Sequence, residues 1–404
     1  MNIDARAAGF DAERIERISG HMERNYIENR KVVGAQVMVS RHGVPAYFRS
    51  FGQMDREREE PMRDDTIFRI YSMTKPITSV ALMQLFEEGH FQLNDPVSRV
   101  IPEWKGQRVY VAGGDADAME TKEPDQPMTF RHVLSHSGGL TYGGTNHPVD
   151  KIYRRVGVNR DEGETLRTFV EKLAEVPLMY EPGQAWMYSL STDVCGYLVE
   201  AISGVPFDVY LRENIFEPLG MVDTSFQIAP GKVDRFAANY QRTPEKTLKL
   251  IDDPQDSSYA KPKTFFSGGG GLVSTTADYA RFCEMLRRGG ELDGARILGP
   301  RTIELMHQNH LPGGRDLTEL AIGSFSETAY AGVGFGLGFA KTLGRVEAGS
   351  IAAGDYYWGG AASTIFWVDP VEDLYAICMT QLMPSNTFNF RGQLKSLIYS
   401  AIVD

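Results

Sequence analysis

The run from Phe68 to Gly89 constrains this chain more than any other stretch. Ile77, Val80, Ala81, Leu82, Met83, Leu85 and Phe86 leave it almost no polar face, and a helix that is apolar nearly all round has to be buried. Gly89 ends it, as glycine does just past a helix C-terminus. At its mouth Ser72 and Lys75 stand three residues apart. On a helix they share one face, so the ammonium reaches the hydroxyl, and the free N–H groups of the first turn favour negative charge there. That is one way to build an activated nucleophile; the plainer reading is that Ser72 only caps a core helix. Pro76 biases Lys75 away from helical angles and removes a backbone donor, so the opening turn is expected to be irregular.

The Ser-x-x-Lys pattern recurs at Ser258 and Lys261, within the polar, proline-punctuated stretch from Asp252 to Pro262. No apolar helix follows to fix a lysine there, and this copy is set aside. The chain has 404 residues and a formal charge of -11, which suits two lobes and argues against a nucleic-acid footprint. The opening residues lack an apolar signal core and no later run has the length of a membrane span, so a cytoplasmic protein without a membrane partner is expected. Cys195, Cys283 and Cys378 are odd in number and far apart, and read as buried thiols. His132 and His136 have metal-helix spacing, but Val133 stands where a zinc hydrolase carries glutamate; they read as ordinary helix residues. His307 and His310 have no third ligand in view, and neither a metal nor a cofactor is expected.

Along the chain, Asp11 to about Tyr26 reads as an amphipathic helix, followed by a hairpin of Gly34 to Val39 and Val44 to Phe51. Residues 96–260 are loop-rich and helical, with helices at Leu166 to Ala174 and Thr192 to Ile202. Past the glycine run Gly268 to Gly271, which reads as close backbone approach, a helix spans Ala277 to Arg288. The alternation of Gly332, Gly334, Gly336 and Gly338 suits a strand with one bare face. Ala361 to Val368 and Leu374 to Gln381 form a second hairpin, and a helix from Arg391 closes the chain. The expected class is therefore α/β of the α+β type. Residues 1–95 and 261–404 form an antiparallel sheet flanked by helices, and 96–260 an inserted, mostly helical lobe. The irregular stretches Gly113 to Pro127 and Ile251 to Pro262 are expected to wall the substrate pocket.

Two further segments carry chemistry if Ser72 does. Tyr188 ends a turn just before a helix, and Trp358-Gly359-Gly360-Ala361 sets two glycines at the expected start of a strand. With Ser72-Met73-Thr74-Lys75, Tyr188-Ser189-Leu190 and Trp358-Gly359-Gly360 in this order, the chain resembles the serine β-lactamase and penicillin-binding superfamily. More narrowly, it looks like the class C-like carboxylesterases of family VIII. The segments His132 to Leu140, Gly269 to Thr275 and Gly334 to Phe339 take part in the resemblance, which runs over nearly the whole chain.

The resemblance implies a β-lactamase-like fold, Ser72 as acyl-accepting nucleophile, and Lys75 with Tyr188 as its base and proton relay. It also implies an oxyanion hole from the backbone N–H groups of Ser72 and Ala361, each such donor worth roughly 3 kcal/mol. Leu190 and Trp358 depart from the asparagine and lysine of lactam-hydrolysing relatives. If the third motif faces substrate across the cleft from Ser72, an indole there leaves a lactam carboxylate without a partner. The expected substrate is accordingly a small neutral ester with a short or medium chain, hydrolysed through an acyl-enzyme. The alternatives are an acyltransferase or weak β-lactamase of the same fold, or an inactive binding homologue. No G-x-S-x-G elbow of an α/β-hydrolase occurs.

Overall fold

Gly34–Arg41 is buried at every residue, which demands hydrogen-bonded neighbours on both edges and packed layers on both faces. The computed structural model, which describes residues 2–114, 118–158, 163–323 and 330–404, supplies both. We label the strands of the main sheet β1 (Gly34–Arg41), β2 (Val44–Asp55), β3 (Glu60–Pro61), β4 (Val333–Phe335), β5 (Ala340–Thr342), β6 (Tyr356–Gly359), β7 (Ile365–Asp369) and β8 (Leu374–Thr380). Their order is β4-β5-β6-β7-β8-β1-β2-β3, with antiparallel pairing throughout. The seam between chain ends is β1 on β8, where Val37 faces Cys378 and Arg41 faces Leu374. The sheet thus takes every strand from residues 34–61 and 333–380. The middle of the chain has more helix than strand but is largely irregular, and Asn239–Arg242 pairs in parallel with Leu382–Met383 near the C-terminus.

The apolar run after Ser72 forms the helix Thr74–Glu87, in which Lys75 and every residue from Ile77 to Leu85 except Gln84 are buried. Gly89, at φ +81°, follows its end. Lys75 is helical despite the proline after it, and the irregular turn lies one step earlier, where Tyr71–Met73 is a tight 3-10 turn. Pro76 itself is the third helical residue, where a missing N–H costs nothing. The helix Ser191–Ser203 packs along this core helix and is buried from Ser191 to Val199. Leu166–Ala174, Thr276–Arg287 and Phe390–Tyr399 match their expected helices within a residue. The three cysteines are buried and free. Among the described residues no single helix is long and apolar enough to cross a membrane.

Four expectations need correction. The N-terminal helix is broken into Ala12–Ile15, Arg17–Met22 and a π turn Glu23–Ile27, although Ile15, Ile18, Met22 and Tyr26 are all buried. The strand expected from Ala361 begins at Ile365; Gly359 instead ends β6, because Tyr356, Tyr357 and Trp358 are themselves strand residues. The glycine alternation is a strand only to Phe335. Beyond it Gly336 passes the Met306 carbonyl, and Gly338, at φ +94°, lies where a Cβ would be 2.3 Å from Ser79 Oγ. The bare face serves close approach to the core helix rather than a longer strand. Finally, His136 is not in a helix: the helix ends at Leu134 and His136 has φ +56°.

Gly338→Ala combines a left-handed backbone with a clash against the core helix and should cost roughly 1–3 kcal/mol. Gly106, with nothing within 4 Å of an added Cβ, should tolerate alanine to within about 0.5 kcal/mol. Urea unfolding of both variants measures the difference; equal stabilities would contradict the packing at Gly338.

Candidate active site

A short antiparallel ladder fixes the entry to the core helix. Ile67–Arg69 pairs with Val273–Thr275, and Ile70 N donates to Leu272 O at 3.1 Å. Residues 268–271 are thereby drawn alongside the turn that carries Ser72. Leu272 N donates to Thr74 Oγ1 at 3.2 Å. Tyr71, just before Ser72, has φ +41°, an outlier for an aromatic residue of the kind that clusters where backbone is held under strain at functional sites. Its hydroxyl accepts from Asn239 Nδ2 at 3.0 Å.

Ser72 does not cap the helix, since Met73 occupies the capping position without a side-chain bond. Its Oγ accepts instead from Lys75 Nζ at 3.2 Å. Lys75 is 1% exposed and also donates to Gly269 O at 2.5 Å. Its Nζ lies 4.5 Å from the centre of the Tyr188 ring. Tyr188 comes from the segment before Ser191–Ser203, and its Oη accepts from Trp358 Nε1 at 3.2 Å. Residues from three distant segments therefore form one contiguous chain of polar contacts from Ser72 to Trp358. The copy at Ser258 and Lys261 is different: both residues are exposed, and Lys261 pairs with Asp256 at 2.8 Å.

The Gly359-Gly360 pair brings β6 against the backbone ahead of Ser72. A Cβ on Gly360 would lie 2.4 Å from Ile70 O and 2.2 Å from Thr364 Oγ1, so only glycine permits this approach. Gly360 N donates to Thr364 O at 2.7 Å, closing the turn that presents Ala361. Arg391 Nη2 donates to Trp358 O at 3.2 Å and braces the end of the strand. Trp358 is wholly buried, its ring edge-on to Phe335 at 5.3 Å. The indole packs against Tyr188 with ring centres 5.3 Å apart and points its N–H at the phenol. Leu190 is likewise buried, at the N-terminus of Ser191–Ser203.

Two polar residues of this neighbourhood were not singled out by the motifs. Asp193, in the first turn of Ser191–Ser203, accepts from Ser267 Oγ at 2.5 Å and Gly269 N at 3.1 Å. It so holds the glycine run whose carbonyl meets Lys75. Burial pushes its carboxyl pKa up, opposed by the Ser267 bond and by the Lys75 charge. His136 packs against Tyr188 with ring centres 5.0 Å apart, its Nδ1 at 3.2 Å from Ser189 Oγ. Burial, with the Lys75 charge second, pushes its pKa well below the usual histidine value, so the imidazole is neutral. The signal for His136 lay in the sequence, next to Gly138-Gly139, but helix spacing obscured it.

The two irregular stretches make the following contacts. Residues 115–117 of the first are outside the described residues. Asp125 and Gln126 of the same stretch bond the turn at Glu181 and Pro182, bracing the approach to Tyr188. The second contributes Asp252, which pairs with the buried Arg69 at 2.6 Å, and Tyr259, which reaches Gly270 O only at 3.5 Å. His307 stacks on Tyr356 at 4.7 Å while His310 contacts Arg131. Among the described residues no group of three or more His, Cys, Asp or Glu could hold a metal ion.

Comparison with known proteins identifies the family. Esterase EstB of Burkholderia gladioli is 30% identical over 400 residues, covering 94% of this chain and 93% of its own. Monacolin J acid methylbutanoyltransferase of Aspergillus terreus is 28% identical, with 90% of each chain covered. Among solved structures, EstCE1, described as a hydrolase with promiscuous acyltransferase activity, superposes with a TM-score of 0.80 at 27% identity over 96% of this chain and 99% of its own. A family model described as Beta-lactamase matches residues 20–397; the chain belongs to the β-lactamase family and has its fold.

Proposed function

We infer that the protein is a serine carboxylesterase that hydrolyses neutral esters of short or medium chain length through an acyl-enzyme on Ser72. The observation that carries this reading is the Lys75 amine, 3.2 Å from Ser72 Oγ and 4.5 Å from the Tyr188 ring centre. Ser72 Oγ attacks the ester carbonyl while its proton passes, through the Lys75 ammonium, to a Tyr188 phenolate. The negative charge formed on the carbonyl oxygen is met by the N–H groups of Ser72 and Ala361, a role supported by the close approach of Gly360 to the Ile70 carbonyl. Tyr188 then returns the proton to the departing alkoxide, and water repeats the sequence to release the acid. The buried Trp358 N–H, donating to Tyr188 Oη, stabilises the phenolate and orients its lone pairs.

The same contact supports the choice of neutral esters. Where lactam-hydrolysing relatives place a lysine, this chain has an indole turned inward onto Tyr188, and Leu190 replaces their asparagine. An anionic substrate would give up its hydration without gaining the cation or the amide. A second reading, acyl transfer to a bound alcohol, is favoured by the acyltransferases among the relatives. It differs only in which hydroxyl reaches the acyl-enzyme.

Ser72→Ala should abolish both p-nitrophenyl butyrate hydrolysis and labelling by a fluorophosphonate, while Ser258→Ala leaves both intact; labelled peptide mapping to Ser258 would overturn the assignment. Tyr188→Phe keeps the ring but loses the proton carrier, so kcat should fall by roughly 10²- to 10⁴-fold. Trp358→Phe keeps most of the packing and removes the donor; kcat should fall by about ten-fold, with the acidic limb of the pH–rate profile moved upward. An unchanged profile would leave Trp358 as packing alone. In the wild type kcat/KM for p-nitrophenyl butyrate should far exceed that for nitrocefin, and the reverse order would replace the esterase reading by a β-lactamase one. Product analysis with an added alcohol acceptor decides between hydrolysis and transfer.

A further inference from the structure

A second cavity, of about 660 Å³, shares no lining residue with Ser72, Lys75, Tyr188 or Trp358. Its volume falls in the range of small-molecule sites. The walls are apolar: Phe216, Met221, Phe226 and Val273 are buried, and Phe266 is half-buried beside Phe226 with ring centres 5.2 Å apart. The charges around the rim are mostly paired. Asp223 is held by Lys232 and Arg235, each at 2.6 Å, and Arg212 by Glu213 at 2.8 Å.

Lys263 is the exception among the rim cations. Half-buried, it forms no ion pair among the described residues, the Asp252 carboxylate acting on it only at longer range, and its Nζ rests 4.0 Å from the centre of the Tyr259 ring. Burial pushes its pKa down. Asp208 is also without an ion pair among the described residues, so the head group of a ligand has to be chosen between them. A carboxylate brought to Lys263 gives a partly desolvated ammonium the charge-assisted hydrogen bonds it lacks, which an aromatic face replaces only weakly.

The cavity is tied to Lys75 by the glycine run. A Cβ on Gly271 would lie 2.8 Å from Phe226 Cδ1, so the phenyl ring of the wall rests directly on that backbone. Gly271 N donates to Ser267 O at 2.9 Å, Ser267 Oγ to Asp193 at 2.5 Å, and Gly269 O accepts from Lys75. Pressure on Phe226 therefore reaches the acceptor of the lysine through one turn of backbone.

We propose that this cavity binds a small amphiphile with an aliphatic or aromatic body and a carboxylate head paired to Lys263, and that its occupancy changes turnover at Ser72 through Phe226 and Gly268–Gly271. The acid released by ester hydrolysis belongs to this class; that identification, unlike the binding itself, rests on the esterase reading.

Isothermal titration of the full chain with octanoate tests the binding, with octylamine as the control of opposite charge. Octanoate should bind, Lys263→Met should weaken it by about ten-fold, and Val222→Trp, at an exposed position on the mouth, should obstruct it. Tyr188→Phe should leave the affinity unchanged. Both cavity substitutions are at half-buried or exposed positions, and circular dichroism checks that the variants fold. Octylamine binding as tightly as octanoate, octanoate affinity unmoved by Lys263→Met and Val222→Trp, or its loss in Tyr188→Phe overturns the site. The coupling is read from p-nitrophenyl butyrate hydrolysis at saturating octanoate. The kcat should change in the wild type and not in Lys263→Met; purely competitive inhibition in both overturns it. A chain without esterase activity would still report on the cavity through the titration, so the two readings fail separately.

Discussion

A buried ammonium is tolerated only where the protein replaces the water it gave up, and this requirement at Lys75 organises the structure around it. Its hydrogen bonds go to Ser72 Oγ, one turn back on its own helix, and to Gly269 O, nearly two hundred residues away in sequence. The Tyr188 ring offers it a third, aromatic face. To deliver these partners the chain needs the ladder between Ile67–Arg69 and Val273–Thr275, and the Asp193 carboxylate to hold Gly269 N. It also needs the packing of Ser191–Ser203 along the core helix. Loosening any one of them would leave a charge in the interior without its acceptors.

Backbone has to come close for this to work, and glycine decides where it can. Gly269 lies where a Cβ would be 2.6 Å from Asp193 Oδ2, and Gly360 where one would be 2.4 Å from Ile70 O. The first approach gives Lys75 its carbonyl; the second sets the turn bearing Ala361 beside Ser72. Trp358 adds a different kind of constraint. Turned inward onto Tyr188 and braced through its carbonyl by Arg391, it fixes a neutral donor against the phenol.

Much of the fold was legible because its elements obey local rules. The core helix announced itself by an apolar run with Gly89 at its end, and the hairpins at both chain ends by strand-like runs about turns. The breaks were harder. Glu23–Ile27 is a π turn in a stretch whose apolar stripe is that of an ordinary helix, and His136 leaves its helix at a spacing that fits one. In each case the local pattern is satisfied equally by two backbones, and tertiary packing chooses between them.

By itself the sequence determined that Ser72 and Lys75 meet, because helical periodicity couples them, and the order of the three motifs is written along the chain. It determined equally that Ser258 and Lys261 stay exposed, since nothing apolar follows to bury them. Only the tertiary structure decided the direction of the Trp358 indole, the pairing of Asp193 with Gly269, and the placing of His136 behind Tyr188. Those depend on contacts between segments far apart in sequence, where a side chain's direction is set by neighbours that no local pattern names.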